Sequence, residues 1–559
     1  MNSNLIKSSF FHSGIFWAGM VLVAVCHLVS MERIPLPWLD EVHIVEMGRN
    51  ILDSGHRDYS LMIAKDGSFF QPIYYLGPII QELAYRICGR LGPRLSVLLA
   101  LLISTILCRI WLSRQQLSKG LVTMLSLIFL TYPLLIQSVK IVRVDAWTFI
   151  PLFLCLLLFG RLSNDGRMNQ VLFFLIGVLA AGSFFLWPSV TLFYPLFLLE
   201  IVRARKRHGY LVVQTLKYAG IGMLGGLVAS LFLVLPFLDI VGSLFQSIGT
   251  YFDLGQPGKR ISLSVSLLSK TQGLAVLLTK ESLRAPFVMI LVAIGLWDQR
   301  KDWQLLACFF MAFCMAFVSL LHTFRFIFLI PFLFLLLVAG SRALYQRYSR
   351  IATVFLTCTV LYGLISGGVA YAGVTPALKG RSYTAFRDEL RTAVGEGPKR
   401  VYVHNLQAYY VARELQWHYF RYGQGTCISE DSQYARLLDR SDYVVEMKQT
   451  FFYAVEESFT LYGAVRDYVI RAAIKESTAS CPSTIAKIGY ALASRSPSLQ
   501  EQEQFNKLLL SSGFQQHRVS ELSRKNQAYS AWQSTVRSWM AVPPDYDVPV
   551  IWVRVNKRD

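Results

Sequence analysis

The stretch Lys140–Gly160, KIVRVDAWTFIPLFLCLLLFG, places a short charged segment directly before an apolar run. The run, near residues 146–161, approaches the roughly 20 residues that a helix needs to cross a bilayer. Charged side chains at such a depth are costly to desolvate and are usually functional. The stretch therefore predicts a membrane helix with Asp145 at its mouth, either in a functional site or in a helix-end salt bridge.

Similar apolar runs recur on both sides of this stretch. The chain has 559 residues, of which 54% are hydrophobic and only 16% charged, whereas a soluble protein has about 25% charged residues. We therefore predict a polytopic α-helical membrane protein with about 11 transmembrane helices. The other runs lie near residues 10–30, 93–113, 120–136, 170–187, 189–202, 214–238, 284–297, 304–321, 326–340 and 351–372. No small-residue cleavage site follows the first run, so we expect an uncleaved helix rather than a signal peptide.

The net charge of +20 invites assignment as a nucleic-acid binder. Such proteins concentrate Lys and Arg on one soluble face, but here many basic residues form short clusters between apolar runs, as in Arg203–His208. This is the positive-inside pattern of membrane loops. The clusters alternate correctly if the N-terminus is cytoplasmic and residues 72–88 form an amphipathic helix in the outer interface. The sequence contains no Asn-x-Ser/Thr sequon, which favours a bacterial cell membrane over a eukaryotic lumenal membrane. We therefore expect a multi-pass protein of the cell (inner) membrane.

This topology assigns the loops 31–92, 137–145 and 239–283 and all residues after about 373 to the outer face. We predict a transmembrane catalytic domain over residues 1–372, including loop 31–92, and an extracytoplasmic α/β domain over residues 373–559. Segments 400–404 and 548–555 have strand patterns, and 383–394 and 406–416 have helical patterns. None of the nine cysteines has metal-ligand spacing. Cys427 and Cys481 are the two in the polar region, and we expect them to form a disulfide there.

Two further charged clusters fall on the predicted outer side. Asp40-Glu41 follows the first helix, and His322-Thr323-Phe324-Arg325 lies between two apolar runs. The planar guanidinium of Arg325 suits a phosphate, since it can bind two oxygens at once. A solvated loop for Asp40-Glu41 and snorkelling of Arg325 to lipid headgroups are the plainer interpretations. Three such clusters on one face indicate a site more strongly than any one alone.

In order and spacing, these motifs resemble those of the GT-C glycosyltransferases, above all the lipid A aminoarabinose transferases and protein O-mannosyltransferases. The DE pair, the R-x-D element and the late H-x-x-R-F carry the resemblance, which covers about residues 10–345. The stretch Phe69–Leu76, FFQPIYYL, resembles the Phe/His-x-Pro-Pro-Leu-x-Tyr stretch of that group. Two elements differ: Gln71-Pro72 replaces Lys-Pro, and Leu186-Trp187-Pro188-Ser189 replaces a Lys-Gly-Pro-like element.

The resemblance implies transfer of a sugar from a polyprenyl-phosphate donor to a lipid, glycan or protein acceptor. Asp40, with its neighbour Glu41, is then the catalytic pair and Asp40 the general base, while Asp145 orients the acceptor or shares a divalent metal with Asp40. The donor phosphate is assigned to Arg325 together with His322, Arg143 and Lys140. Three aromatic residues are assigned to the acceptor or donor loop, namely His43, Tyr74 and Tyr75. No cofactor is certain, and a divalent metal is compatible with the carboxylates.

Two other functions fit parts of the pattern. A transporter or flippase of a lipid-linked saccharide places charges inside its helices near the bilayer midplane. Here charges gather at the helix ends, which favours an enzyme. An oligosaccharide polymerase or ligase is compatible with the same motifs. The partners expected in every case are membrane lipids and a lipid-linked sugar, and no nucleic acid.

Overall fold

The computed structural model describes residues 3–33, 39–55, 73–163, 165–238, 285–318, 323–369, 382–403, 408–420, 441–447, 509–519 and 549–554, with the single positions 241, 282, 372, 373, 375 and 507. Its contacts divide the chain into two compact units. The first unit contains the described residues up to Val29 and those from Ile73 to Ala372. The second contains residues 30–55 and the described residues from Gly373 onward.

Within the described residues, the first unit is helical, and each predicted apolar run lies mainly in helices; the run near 120–136 is divided between two of them. The helices are α1 (Ser3–Ser30), α3 (Leu76–Cys88), α4 (Gly92–Ser113), α5 (Lys119–Leu130), α6 (Pro133–Lys140), α7 (Asp145–Phe159), α8 (Gly166–Leu186), α9 (Tyr194–His208), α10 (Val212–Val234), α11 (Pro286–Asp298), α12 (Trp303–Val318), α13 (Ile330–Arg347) and α14 (Ser349–Leu364). Shorter 3₁₀ segments cover Gly89–Leu91, Pro188–Phe193 and Thr323–Leu329, and a π-helical turn, Ile365–Val369, follows α14.

Six helical stretches in the described residues are long and apolar enough to cross a bilayer. They are Phe11–Ser30, Leu76–Ser113, Gly166–Leu186, Val212–Val234, Phe326–Arg347 and Ser349–Val369. A seventh candidate is the pair α5 and α6, bent by 43°. The other predicted runs form shorter helices of 13 to 16 residues, α7, α9, α11 and α12. The count of about 11 spans therefore stays a prediction.

Two breaks in the helices follow from local chemistry. Proline at position 133 lacks an N–H and disfavours a helical conformation before it, so Tyr132 is extended and α5 ends. Helix α3 ends at Gly89, whose φ of 60° is in the left-handed region. Helix α4 then packs back on α3, since a Cβ at Gly92 would overlap the backbone of Ala84. The stretch Leu76–Ser113 is thus two helices.

The polar side of α3 faces the protein. Gln81 and Glu82 are buried, whereas Leu83 and Ile87 are exposed. Glu82 forms an ion pair with Arg86 one turn later at 2.9 Å. An amphipathic helix is therefore confirmed at this position, and its predicted place in the outer interface stays a prediction.

Close backbone approach holds two helix pairs together. A Cβ at Gly177 of α8 would overlap the carbonyl of Gly222 in α10. Likewise, a Cβ at Gly295 of α11 would overlap the carbonyl of Leu336 in α13. Small residues at such crossings allow dense packing where lipid removes the hydrophobic driving force.

The second unit combines three helices with a five-stranded sheet in the described residues. The helices are α2 (Leu39–Ser54), α15 (Tyr383–Val394) and α16 (Tyr409–Glu414). The strands are β1 (Arg400–Val403), β2 (His418–Phe420), β3 (Tyr443–Met447), β4 (Phe514–Val519) and β5 (Pro549–Arg554). Their order is β2-β1-β3-β5-β4. Strand β1 is parallel to β2 and β3, and β5 is antiparallel to both β3 and β4.

The predicted strand and helix positions of this unit are confirmed where the structure describes them. Ser382 caps α15 by accepting a hydrogen bond from the Ala385 N–H, so the helix covers the predicted residues. The predicted strands at 400–404 and 548–555 are β1 and β5. The extracytoplasmic location of the second unit stays a prediction.

Candidate active site

The turn between α6 and α7 has a strained backbone. Val142 has a φ of 59°, in the left-handed region that a β-branched residue adopts at a cost. Such outliers cost about 1–3 kcal/mol and cluster at functional sites. The Arg143 N–H donates to the carbonyl of Ser138 at 3.0 Å, which fixes the turn. The turn joins the end of α6 to the start of α7 within four residues.

This turn brings two predicted site residues into direct contact. The Nε of Arg143 donates to Oδ2 of Asp145 at 2.7 Å, and the Ser138 hydroxyl donates to the same oxygen at 3.0 Å. Asp145 is fully buried and Arg143 nearly so. The carboxylate also lies in the first turn of α7, where the helix dipole favours a negative charge. The result is a buried, hydrogen-bonded ion pair.

Aromatic side chains line the other side of the Arg143 guanidinium. It lies 5.5 Å from the centre of the Trp187 ring, within cation–π range. The Tyr74 ring packs on Trp187 at a centroid distance of 4.5 Å. This approach is close because Gly77 packs against the carbonyl of Leu186, where a Cβ would lie 2.9 Å away.

Tyr75 points into the protein. Its hydroxyl donates to the carbonyl of Leu233 at 2.7 Å, and its N–H donates to the carbonyl of Phe185 at 3.0 Å. Its ring packs edge-on against Phe185 and Phe237. These contacts tie the start of α3 to the ends of α8 and α10, so Tyr75 supports the position of Tyr74.

A second buried cation lies beside this pair in the chain. Lys140, the last residue of α6, is 4% exposed and lies within electrostatic range of Arg94 in α4. His27 and Cys26 of α1 are also in electrostatic range of the Lys140 ammonium. Cations so deeply buried are expensive unless anions or hydrogen-bond acceptors surround them.

The DE pair begins α2 in the second unit. Asp40 lies in the first turn of that helix, and only its backbone is described. Glu41 is fully buried, and His43 is half-buried. Buried carboxylates are normally paired or hydrogen-bonded, so the position of Glu41 argues against a solvated loop.

The remaining predicted residues are described partly or not at all. The backbone of Arg325 lies in the 3₁₀ segment Thr323–Leu329. His322, Cys427 and Cys481 lie outside the described residues, as does Gln71. The roles assigned to them stay predictions.

The Asp145 carboxylate is a poor fit for the divalent metal considered above. A guanidinium 2.7 Å from Oδ2 already supplies a positive charge at the place where a cation would bind. Among the residues that the structure describes, no three His, Cys, Asp or Glu side chains form a cluster suited to a metal ion.

The sequence motifs did not identify three residues near this site. Trp187 replaces the Lys-Gly-Pro-like element, and its contact with Arg143 comes from the end of a different helix. Ser138 carries no signal beyond lying in the link to Asp145. Arg94 follows Gly92-Pro93 at the start of α4, and its burial is the only sign of a role.

Similarity to a solved structure supports the overall fold described above. The crystal structure of ArnT from Cupriavidus metallidurans in the apo state is similar over 78% of this chain and 93% of that chain, with a TM-score of 0.52 and 11% identity. A structure of the same protein bound to undecaprenyl phosphate matches over 79% of this chain and 94% of that chain, with a TM-score of 0.45 and 12% identity. No family model and no curated protein matches the sequence. The chain is thus a membrane protein that shares its fold with the apo ArnT structure.

Proposed function

We propose that the protein is a glycosyltransferase that moves a sugar from a polyprenyl-phosphate donor to an acceptor hydroxyl on the extracytoplasmic face. The observation that carries the proposal is the buried Arg143–Asp145 pair at the α6–α7 junction, with Lys140 beside it. It supports a polar functional site at the mouth of α7. The DE pair and Arg325 are included among the proposed site residues because of the motif resemblance.

The reaction breaks the bond between the sugar anomeric carbon and the phosphate oxygen. The acceptor oxygen bonds to that carbon, its proton passes to Asp40, and the polyprenyl phosphate leaves with the electron pair of the broken bond. General-base help of this kind contributes about 10²–10⁴-fold. Asp40 is the proposed base because it is the first acid of the DE pair.

Cations stabilise the negative charge that remains on the departing phosphate. The proposed phosphate-binding residues are Arg325, His322, Arg143 and Lys140. Arg143 is held by Asp145 and by the Trp187 face, so its guanidinium is oriented before the donor binds. Preorganised charges act strongly in a site that excludes water.

Tyr74 and His43 are proposed to line the donor or acceptor entrance. Asp145 is proposed to orient the acceptor indirectly, through Arg143. The acceptor is a lipid, a glycan or a protein. The catalytic residues are assigned to the membrane part of the chain with the loop 31–92, in the cell membrane.

A lipid-linked saccharide flippase is the alternative from another class. Within the described part of the first unit, the buried charges Arg94, Lys140, Arg143 and Asp145 lie at or near the ends of α4, α6 and α7, whereas Glu82 lies within α3 and is paired with Arg86. A translocation path commonly places charges inside membrane helices near the bilayer midplane. The four charges at helix ends favour group transfer.

Asp40→Asn tests the proposal in purified protein supplied with polyprenyl-phosphate pentoses and hexoses. Release of polyprenyl phosphate measures turnover, and binding of polyprenyl phosphate alone measures the donor site. Asn keeps the side-chain shape but accepts no proton, so turnover should fall at least about 100-fold while binding is retained.

Asp388→Asn, an exposed Asp-to-Asn change in α15, is the matched control and should leave turnover unchanged. More than about a tenth of wild-type turnover in Asp40→Asn would remove Asp40 from the role of base. Transport of the donor across vesicles without release of polyprenyl phosphate would favour the flippase.

A further inference from the structure

The segment that enters α2 is bonded to residues more than three hundred positions later. The Arg33 guanidinium donates to the carbonyl of Thr375 at 2.8 Å. The Thr384 hydroxyl donates to the Glu32 carboxylate at 2.8 Å, and the Tyr383 N–H donates to the carbonyl of Glu32 at 3.2 Å. The start of the loop that leads to Asp40 is therefore fixed on the start of α15.

A second contact lies along α2 itself. Glu46 is fully buried, and its carboxylate faces the hydroxyl of Tyr409 in α16. Arg413 donates to the same Tyr409 oxygen at 3.2 Å, and Arg49 lies 4.0 Å from the Glu46 carboxylate. Tyr409 is 2% exposed. The four side chains form one charged network that joins α2 to α16.

The Tyr409 phenol remains a hydrogen-bond donor throughout the physiological range. Burial, reinforced by the Glu46 carboxylate, raises the pKa of Tyr409 well above its ordinary value of 10.0. A buried carboxylate without such a partner carries a large desolvation cost. Tyr409→Phe or Glu46→Gln should therefore loosen the junction between α2 and α16, although each substitution alters a single functional group.

Geometry connects this network to the proposed base. Glu46 lies six residues after Asp40 in one helix, which corresponds to about 9 Å along the axis. A helix transmits displacement along its axis because its backbone is hydrogen-bonded throughout. We propose that Glu46 and Tyr409 are positioning residues, through which the C-terminal part of the chain holds α2 in the place that the transfer reaction needs.

The importance of α2 for catalysis rests on the proposed function. The physical coupling of α2 to α16 does not. The first measurement is therefore hydrogen exchange of the amides of residues 42–54 in Tyr409→Phe and Glu46→Gln. Losing a charge-assisted contact should accelerate exchange of these amides about 10- to 100-fold. Tyr443→Phe, which removes the same hydroxyl from strand β3, is the matched control and should leave them unchanged.

The second measurement is turnover. Each single variant should lower kcat at least about 10-fold, since small displacements of a catalytic group have large effects. Binding of polyprenyl phosphate alone should stay at the wild-type value. The double variant should lose no more than the single ones, because both changes break one contact.

Two results would overturn the proposal. Unchanged exchange over residues 42–54 would refute the coupling, whatever the role of Asp40. Faster exchange with wild-type kcat would show that the contact is structural only. If the variants do not fold, exchange in wild-type protein under mild urea decides the matter: α2 amides should open together with those of β1 and β3, and separate opening contradicts the coupling.

Discussion

Arg143→Ala should destabilise the protein far more than loss of a surface ion pair. The pair that it breaks has an Nε–Oδ2 distance of 2.7 Å, with side chains that are 10% and 0% exposed. Removing Arg143 leaves the Asp145 carboxylate buried without its guanidinium partner, although the Ser138 hydroxyl still donates to Oδ2. Breaking such a buried pair costs about 3–5 kcal/mol. That is a large share of the 5–15 kcal/mol by which a typical native state is stable.

The free energy of unfolding, from urea titrations in detergent followed by tryptophan fluorescence, measures this cost. Arg203→Ala is the matched control, since it removes pairs with Asp302 at 3.4 Å and with Glu200 at 3.1 Å, and the Arg203 and Asp302 side chains are about a third exposed. Surface pairs contribute about 0–1 kcal/mol. The double variant Arg143→Met/Asp145→Leu should recover much of the stability, because it leaves no charge uncompensated.

The reasoning is refuted if Arg143→Ala costs no more than Arg203→Ala. In that case the Asp145 carboxylate is solvated in the protein, and its pair with Arg143 is an ordinary salt bridge at a helix end. A double variant that is less stable than Arg143→Ala would separately contradict the charge argument. It would indicate that packing around the strained turn, rather than the buried charge, decides stability there.

Three other predictions follow from the proposed site and topology. Arg325→Ala should weaken binding of polyprenyl phosphate about 10- to 100-fold, the equivalent of about 1.5–3 kcal/mol for a charge-assisted contact; equal affinity would assign Arg325 a structural or headgroup role. A cysteine introduced at Ser538 should react with an impermeant thiol reagent in intact cells, and labelling only after permeabilisation would reverse the topology. Cys427 and Cys481 should be disulfide-bonded in unreduced protein from its native membrane, with about 4 kcal/mol of stabilisation from loop closure; mass spectrometry that finds both thiols alkylatable would contradict this.

Local sequence patterns located most of the helices. The run after Asp145 became α7, and the helical pattern at residues 383–394 became α15 with the same bounds. Such elements are predictable because hydrophobic periodicity and a capping serine act within a few residues. The R-x-D element also predicted a charged residue, Asp145, at the mouth of α7.

The same patterns said little about how the site is held together. Nothing in Leu186-Trp187-Pro188 indicates that Trp187 packs between Tyr74 and Arg143. The left-handed conformation of Val142 is not predictable, because a β-branched residue rarely adopts it. Both features depend on contacts between helices.

By itself, the sequence determined that this is a helical membrane protein with charges at helix ends, because composition and periodicity are local properties. The tertiary structure alone decided which of those charges are buried and what they contact. The Asp145 carboxylate is paired because α6 and α7 meet at a strained turn, and Glu46 faces Tyr409 across more than three hundred residues of chain. Such contacts follow from packing and from the cost of burying a charge, and both depend on residues far apart in the chain.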